Sequence, residues 1–487
     1  MAEHLSKLLR STLLYLPAQI TSPLVQFATT VAWTHLLDPA TFGFVTFIIA
    51  VQEVSACLTL TGWTFFILRF RERFRGPEEP RFLAMDRRLA LLASVAQLLL
   101  TPPLLYALAL PCDIATIAAT AAYLITRMLL THYADWARAQ HAIAAYTSGQ
   151  LVASIVGSGL SVVAIMLLGP SCAVVLGAVA LGQALALLAL MAQANIRLGI
   201  GTFDKALFHD AKRYARLAIV GGVLGWGAGN AIRILVQHFE GPVALGLISV
   251  GWSLGQRIAG VLAMLLTAAA YPLAVKHLES GDREGALAQV SLNGLLLFGI
   301  LLPSTVGVLM LSRPIVTLLI AEQFRETTIT IFPIAMCAAS FRFLRIHVCE
   351  QVMLMFERTK SSMYVLFYEA ALNVTLCALG LHFGGFLGAA SGMLIGAAIS
   401  CIGSFIYCFR SLGLLAPPFS VVLRIALACV AMGLGLHVLP LSGTAASLIG
   451  AIFVGATIYA VAITVLFPGV QALWLNQARR VSAALTP

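Results

Sequence analysis

Lysine and arginine keep to alternate connections between long apolar stretches in this chain, and that alternation leaves few folds open to it. Lys7 and Arg10 precede the first stretch. Arg69, Arg71, Arg73, Arg75, Arg81, Arg87 and Arg88 lie between the second and third, and Arg138 follows the fourth. Arg197, Lys205, Lys212, Arg213 and Arg216 separate the sixth from the seventh. Lys276 and Arg283, Arg358 and Lys360, Arg410, and finally Arg479 and Arg480 continue the series. All of these fall on one side of an alternating path, and the other side holds only Arg313 and Arg325. Cytoplasmic loops of membrane proteins carry the lysine and arginine excess. The pattern therefore predicts a multi-pass protein with both termini in the cytoplasm.

Composition agrees. Charged residues are 10% of the chain and hydrophobic residues 60%, whereas a soluble domain has roughly 25% charged residues. Spans are expected at roughly 11–34, 43–68, 89–110, 114–134, 149–169, 172–195, 217–237, 243–272, 288–311, 328–348, 363–383, 386–409, 419–439 and 444–467, each near the ~20 apolar residues a bilayer helix needs. Helix is the only workable spanning element. The alternation of a barrel strand is missing, and backbone polar groups in lipid must be satisfied within the segment. The expected fold class is all-α and polytopic, with about 14 transmembrane helices. The net charge of +10 reads as orientation and attraction to anionic lipid. No basic, aromatic-interleaved soluble domain points to nucleic acid. The first span lacks a small-residue cleavage site and is expected to be retained.

The connections also exclude chemistry. External turns near 37–42, 111–113, 169–171, 240–242, 382–385 and 440–443 are only a few residues long, and the one longer external segment is 313–327. An enzyme of glycan assembly at the outer face needs a loop large enough to carry acid and base groups. No P-loop provides a nucleotide site. The nine cysteines are scattered without C-x-x-C or Cys/His spacing, so neither a metal nor a cofactor is expected.

A repeat is visible. His35, Pro39 and Gly43 recur as His238, Pro242 and Gly246, offset by about 203 residues. Both sets sit at external turns joining two spans. At matching depth the following spans carry Gln52 and Glu53 in one case, Gly255, Gln256 and Arg257 in the other. Transporters are commonly built from such repeats, with the substrate site between them. An even number of spans separates the copies, so the halves are parallel, with a pseudo-two-fold along the membrane normal.

The segment 36–43 resembles the turn after the first helix of polysaccharide transporters, the flippases of lipid-linked O-antigen and capsule repeat units. Asn230 to Arg233, Gly241 to Gly246 and Tyr271-Pro272 resemble the opening of the second lobe in that family, and Leu311 to Pro314 with Glu322 to Phe324 is similar to its connection after the ninth span. The superfamily also holds multidrug exporters and the lipid II flippase. The resemblance implies two six-helix lobes around a central cavity, alternating access, and a polyprenyl-diphosphate-linked oligosaccharide as cargo. The lobes are expected at 1–198 and 199–412, with an extra helix pair and tail at 413–487. The stretch 204–216, preceded by Phe203 and with Leu207, Phe208 and Tyr214 among Lys205, Lys212, Arg213 and Arg216, reads as an amphipathic linker helix lying on the membrane at the start of the second lobe. One departure is Asn230, where many relatives carry an acidic residue. An amide supplies no fixed negative charge for a cation there.

An ionisable residue in mid-span costs ~2.5–3.5 kcal/mol on the insertion scale, so it normally faces a polar cavity or a partner. Glu53, Arg127, Arg233, Arg257, Arg342, Arg345 and Glu369 meet that description. The set is mostly cationic, which suits an anionic cargo, because guanidinium binds diphosphate bidentately. Asn230 and Arg233 are three apart and share a face, as do Arg342 and Arg345. Gln256 stands beside Arg257. Glu53 is a candidate gate, pairing with Arg257 or Arg233, and Glu369 a coupling site for protons or sodium, or the partner of Arg342 or Arg345. The alternative for Arg127, Arg342 and Arg345 is snorkelling to the headgroups. Pro17, Pro23, Pro102, Pro103 and Pro303 are expected to bend or interrupt their spans.

The sequence thus predicts a flippase in the bacterial inner membrane, with membrane lipid, the lipid-linked glycan, and polymerase or glycosyltransferase neighbours as partners. A cation-coupled multidrug exporter and a membrane-embedded enzyme are the alternatives. The first would need carboxylates to outnumber arginines in the cavity, and the second an external loop.

Overall fold

A computed structural model describes residues 2–440 and 442–468. Arg479 and Arg480 lie outside the described residues, as do the side chains of Lys7 and Arg10. Every regular element among the described residues is helical. In chain order they are α1 (Ala2–Leu36), α2 (Pro39–Phe74), α3 (Glu79–Ala107), α4 (Ile114–Ala139), α5 (Ile143–Leu168), α6 (Cys172–Gln193), α7 (Lys205–Phe239), α8 (Gly241–Glu279), α9 (Arg283–Leu319), α10 (Glu322–Met355), α11 (359–383), α12 (386–412), α13 (Phe419–Val438) and α14 (Ala445–Leu466). By length and composition, twelve described helices are apolar enough to cross a membrane. One of these, Thr359–Leu412, is two in succession, because Gly384 (φ −140°, ψ 21°) and Gly385 (φ 55°, ψ −149°) leave the helical region. A positive φ there suits glycine alone. With α1, fourteen helices result, the number the apolar runs predict.

The few acidic residues are used where helices begin. Asp38 accepts from the Ala40 and Thr41 amides, Asp113 from Thr116, Asp204 from Leu207 and Asp282 from Gly285, while Ser171 and Thr444 cap α6 and α14. Each side-chain oxygen satisfies a donor that the first helical turn would otherwise leave orphaned.

Two expectations about local structure need correcting. The amphipathic segment 204–216 is no separate linker helix. It forms the first turns of the single 35-residue α7, started by the Asp204 cap. The prolines do not interrupt their spans either: α1, α3 and α9 run on through Pro17, Pro23, Pro102, Pro103 and Pro303. The irregularities are π-helical turns at Cys57–Thr61 in α2, Arg345–Glu350 in α10 and Cys408–Leu412 in α12. Such wide turns concentrate at functional sites.

Packing groups the chain into two compact units. The first comprises Met1–Val250 with Leu366–Gly392. Its core near the ends of α2 and α4 is aromatic: Trp63, Phe66, Phe82, Tyr133 and Trp136 are all buried. The second comprises Gly251–Val365 with Met393–Pro487. There Val290, Val348, Val352 and Leu412 form one core. Leu311 of α9 packs with Met432, Leu436, Leu448 and Ala451 of α13 and α14. The Tyr459 hydroxyl donates to the Gly299 carbonyl at 2.7 Å, which ties α14 to α9.

Candidate substrate-binding site

The repeat seen in sequence is a contact in space. Within the first unit, a Cβ added to Gly43 would lie 2.0 Å from the Pro242 carbonyl oxygen, and one added to Gly246 would lie 1.8 Å from that of Pro39. Thr46 Oγ1 stands 3.4 Å from Ser249 Oγ, a pair separated by 203 residues, the repeat offset itself. Equivalent residues of α2 and α8 thus meet reciprocally. Only glycine lets the two backbones come this close.

Further along α2, the ionisable residues assemble. Arg233 Nη1 donates to Asn230 Oδ1 at 2.8 Å. Asn230 Nδ2 is shared between the Trp226 carbonyl oxygen at 3.2 Å and Glu53 Oε2 at 3.5 Å. Trp226 Nε1 donates to the Ala50 carbonyl at 2.9 Å, fixing α7 against α2 at this level. Asn230 therefore bridges the carboxylate and guanidinium that sequence reasoning paired directly, and Glu53 also lies within electrostatic reach of Arg233. Tyr123, buried on α4, lies within electrostatic reach of both Glu53 and Arg127. It joins Arg127, half-buried one turn away, to the same neighbourhood. On α3, Gln97, fully buried, accepts from Ser55 Oγ at 2.8 Å and donates to Thr59 Oγ1 at 3.2 Å, both on α2.

Glu369 lies fully buried on α11. One turn on, Asn373 Nδ2 donates to the Ala228 carbonyl at 2.8 Å, binding α11 to α7. The second unit contains the remaining candidates. Gln256 and Arg257 are half-buried on α8, one turn after Trp252 and Ser253, which are buried. Arg342 is half-buried, while Arg345 is only 2% exposed. Arg345 Nη1 reaches Glu350 Oε2 at 3.4 Å. A spacing of five faces one side in a π-turn and would not in a regular α-helix. Snorkelling does not describe Arg345; a carboxylate on its own helix faces it.

A second polar cluster escaped sequence reasoning. Asp86 of α3 and His132 of α4 are buried together. Asp86 Oδ1 accepts from Trp63 Nε1 at 2.8 Å and lies 2.9 Å from His132 Nε2, while His132 Nδ1 is 2.7 Å from Thr64 Oγ1. The available signal was the meeting of an acid, a histidine and a tryptophan near the arginine-flanked ends of three successive helices.

The sequence profile of the family described as "Polysaccharide biosynthesis protein" matches residues 33–329, more than half of the chain. The chain belongs to this family. No curated protein matches it in sequence. Among solved structures, the lipid II flippase MurJ in an inward closed conformation aligns with a TM-score of 0.75 at 12% identity, covering 94% of this chain and 99% of that one. An outward-facing MATE multidrug resistance transporter of the MOP superfamily aligns at 0.55 with 14% identity, over 86% and 96% of the two chains. The Vibrio cholerae MATE transporter VcmN aligns at 0.53 with 16% identity, over 84% and 97%. At these identities the likeness is one of fold. This polysaccharide biosynthesis protein is thus a multi-pass membrane protein with the MurJ and MATE fold.

Proposed function

We propose that this chain is a flippase that carries a polyprenyl-diphosphate-linked oligosaccharide from the cytoplasmic to the outer leaflet of the bacterial inner membrane, with both its termini cytoplasmic. The observation that carries the reading is Arg233, a guanidinium at membrane depth held by Asn230 beside Glu53. A cation in mid-bilayer is costly unless it serves a polar path. Family membership and the flippase fold support the same reading.

In this account Arg233 and Arg127 meet the diphosphate, Asn230 and Glu53 hold Arg233 in place between cycles, and Arg257, Gln256, Arg342 and Arg345 take part at other stages. Binding uses bidentate guanidinium–phosphate geometry. The lipid tail stays in the membrane. An apolar groove of about 530 Å³ between α13 and α14, lined by Leu427, Ile458, Val461 and Val465, suits such a tail. The cycle is alternating access between the lobes proposed at 1–198 and 199–412, with 413–487 appended. Glu369 is the proposed point of coupling to a proton or sodium gradient, and polymerase or glycosyltransferase proteins are the proposed neighbours.

The second reading, a cation-coupled multidrug exporter, draws on the fold likeness to MATE proteins. The test is genetic. In a strain lacking the chromosomal copy, Arg233→Ala and Arg257→Ala should be expressed normally and fail to restore surface glycan. Normal surface glycan from both variants would reject the cationic path. Normal surface glycan in the strain lacking the protein, with increased drug sensitivity alone, would favour the exporter.

A further inference from the structure

Away from the mid-membrane residues, at the ends of α2 and α4 on the side the lysines and arginines mark as cytoplasmic, lies a pocket of about 330 Å³. Arg69, Arg71 and Glu72 line it from α2, and Arg138 and His141 from the end of α4 and the turn after it. Cations dominate. The single carboxylate, Glu72, is engaged by Arg75 at 2.8 Å. Arg69 has no acidic partner among the described residues and lies against the Phe70 and Tyr214 rings. Arg138 uses Nη1 on Asp135 at 3.0 Å and packs over Tyr146.

Arg71 is the built part of the site. It is 5% exposed, with its guanidinium against Phe82 and Trp136 at 5.6 and 5.2 Å and Nη2 bound to Glu79. Its Nε and Nη1 are buried without a hydrogen-bond partner. Leaving such donors unmade is expensive, and orientation in the membrane needs no buried arginine, since exposed ones serve equally. Snorkelling side chains extend into the headgroups; this one is fixed by an aromatic cage.

We propose that this pocket is a binding site for a phosphate-bearing group of diphosphate size. Guanidinium forks match phosphate oxygens, and three arginines converge on a small volume: Arg69 has no acidic partner among the described residues, Arg71 keeps two unused donors, and Arg138 engages Asp135 through Nη1. The site needs no assumption about the transported cargo. Its ligand is either a lipid phosphate headgroup or a free phosphate compound.

The test uses the full chain. Purified protein in detergent is titrated with inorganic pyrophosphate by calorimetry. In parallel, nanodiscs of phosphatidylcholine with and without phosphatidic acid are examined for retained lipid by native mass spectrometry. Arg71 is left intact because its removal would disturb the core. The double variant Arg138→Gln, His141→Gln and the single variant Arg69→Gln change exposed or edge positions, and their monodispersity checks folding. Saturable pyrophosphate binding weakened at least about tenfold in the variants, the size of one lost charge-assisted hydrogen bond, identifies a free phosphate site. Selective retention of phosphatidic acid that the variants abolish, without pyrophosphate binding, identifies a lipid headgroup site. No binding in either arm, or binding the variants leave unchanged, overturns the proposal.

Discussion

At the residue scale, a buried polar side chain is legible where its partner can be named. Asp86 illustrates this: it accepts from both Trp63 and the His132 ring, in an apolar core rich in aromatic rings. Asp86→Ala would strand those two groups, at about 1–3 kcal/mol each. The expected outcome is a clear fall in the thermal unfolding midpoint followed by tryptophan fluorescence, larger than that of Trp63→Phe, which removes the donor along with the bond. An Asp86→Ala protein as stable as the parent would show that the cluster holds nothing together. Sequence reasoning found Glu53, Asn230 and Arg233 because they interrupt apolar runs. It missed Asp86 because the third span was expected to begin near 89, which left Asp86 in a loop. It missed Glu350 in the same way, since the tenth span was expected to end near 348 and a π-turn cannot be read from a spacing rule built on regular helices.

At the scale of elements, helices extend beyond their apolar windows because caps, and not hydropathy, decide where they start. Asp204 starts α7 and also binds the Arg81 side chain of α3. That hydrogen bond from Arg81, with the Leu207 amide, lowers the Asp204 carboxyl to about 2. The group is more acidic folded than unfolded, so its contribution is present above the ordinary carboxylate range and is lost as pH falls from about 4 toward 2. Hydrogen exchange at the first turns of α7 should rise across that window in the parent, and should be raised already at neutral pH, without that step, in Asp204→Asn. A parent profile flat through the window would remove the Arg81 tie from the account. The glycine joint makes a separate prediction. Gly43→Ala or Gly246→Ala drives a methyl into a carbonyl oxygen, and overpacking of this kind costs about 1–3 kcal/mol. Chemical unfolding should show that loss in each single variant. The double variant should not show the sum, because both act on one contact. Additive losses would mean that the two glycines act independently.

At the scale of the molecule, the alternation of apolar stretch and basic connection was enough for fold class and helix number, since in lipid the backbone has so few ways to satisfy its hydrogen bonds. The repeat was legible too, as three residues at one offset, and the reciprocal contact of Gly43 with Pro242 and Gly246 with Pro39 gives it a physical meaning. What hydropathy does not carry is which intramembrane charges act together, because that depends on rotation of each helix about its own axis. Glu53, Asn230 and Arg233 came together through the Trp226 anchor on Ala50, an interaction with no sequence signature. The central claim is that Arg233 handles a diphosphate in transit. Its most direct measurement is translocation of a fluorescent polyprenyl-diphosphate sugar lipid in proteoliposomes, scored by quenching of the label left on one face. The parent protein should move the lipid. Arg233→Ala should lose at least about tenfold in rate, the worth of one charge-assisted contact, while a lipid bearing no phosphate is moved by neither. Equal rates for Arg233→Ala and the parent, or equal transport of the phosphate-free lipid, would contradict the account.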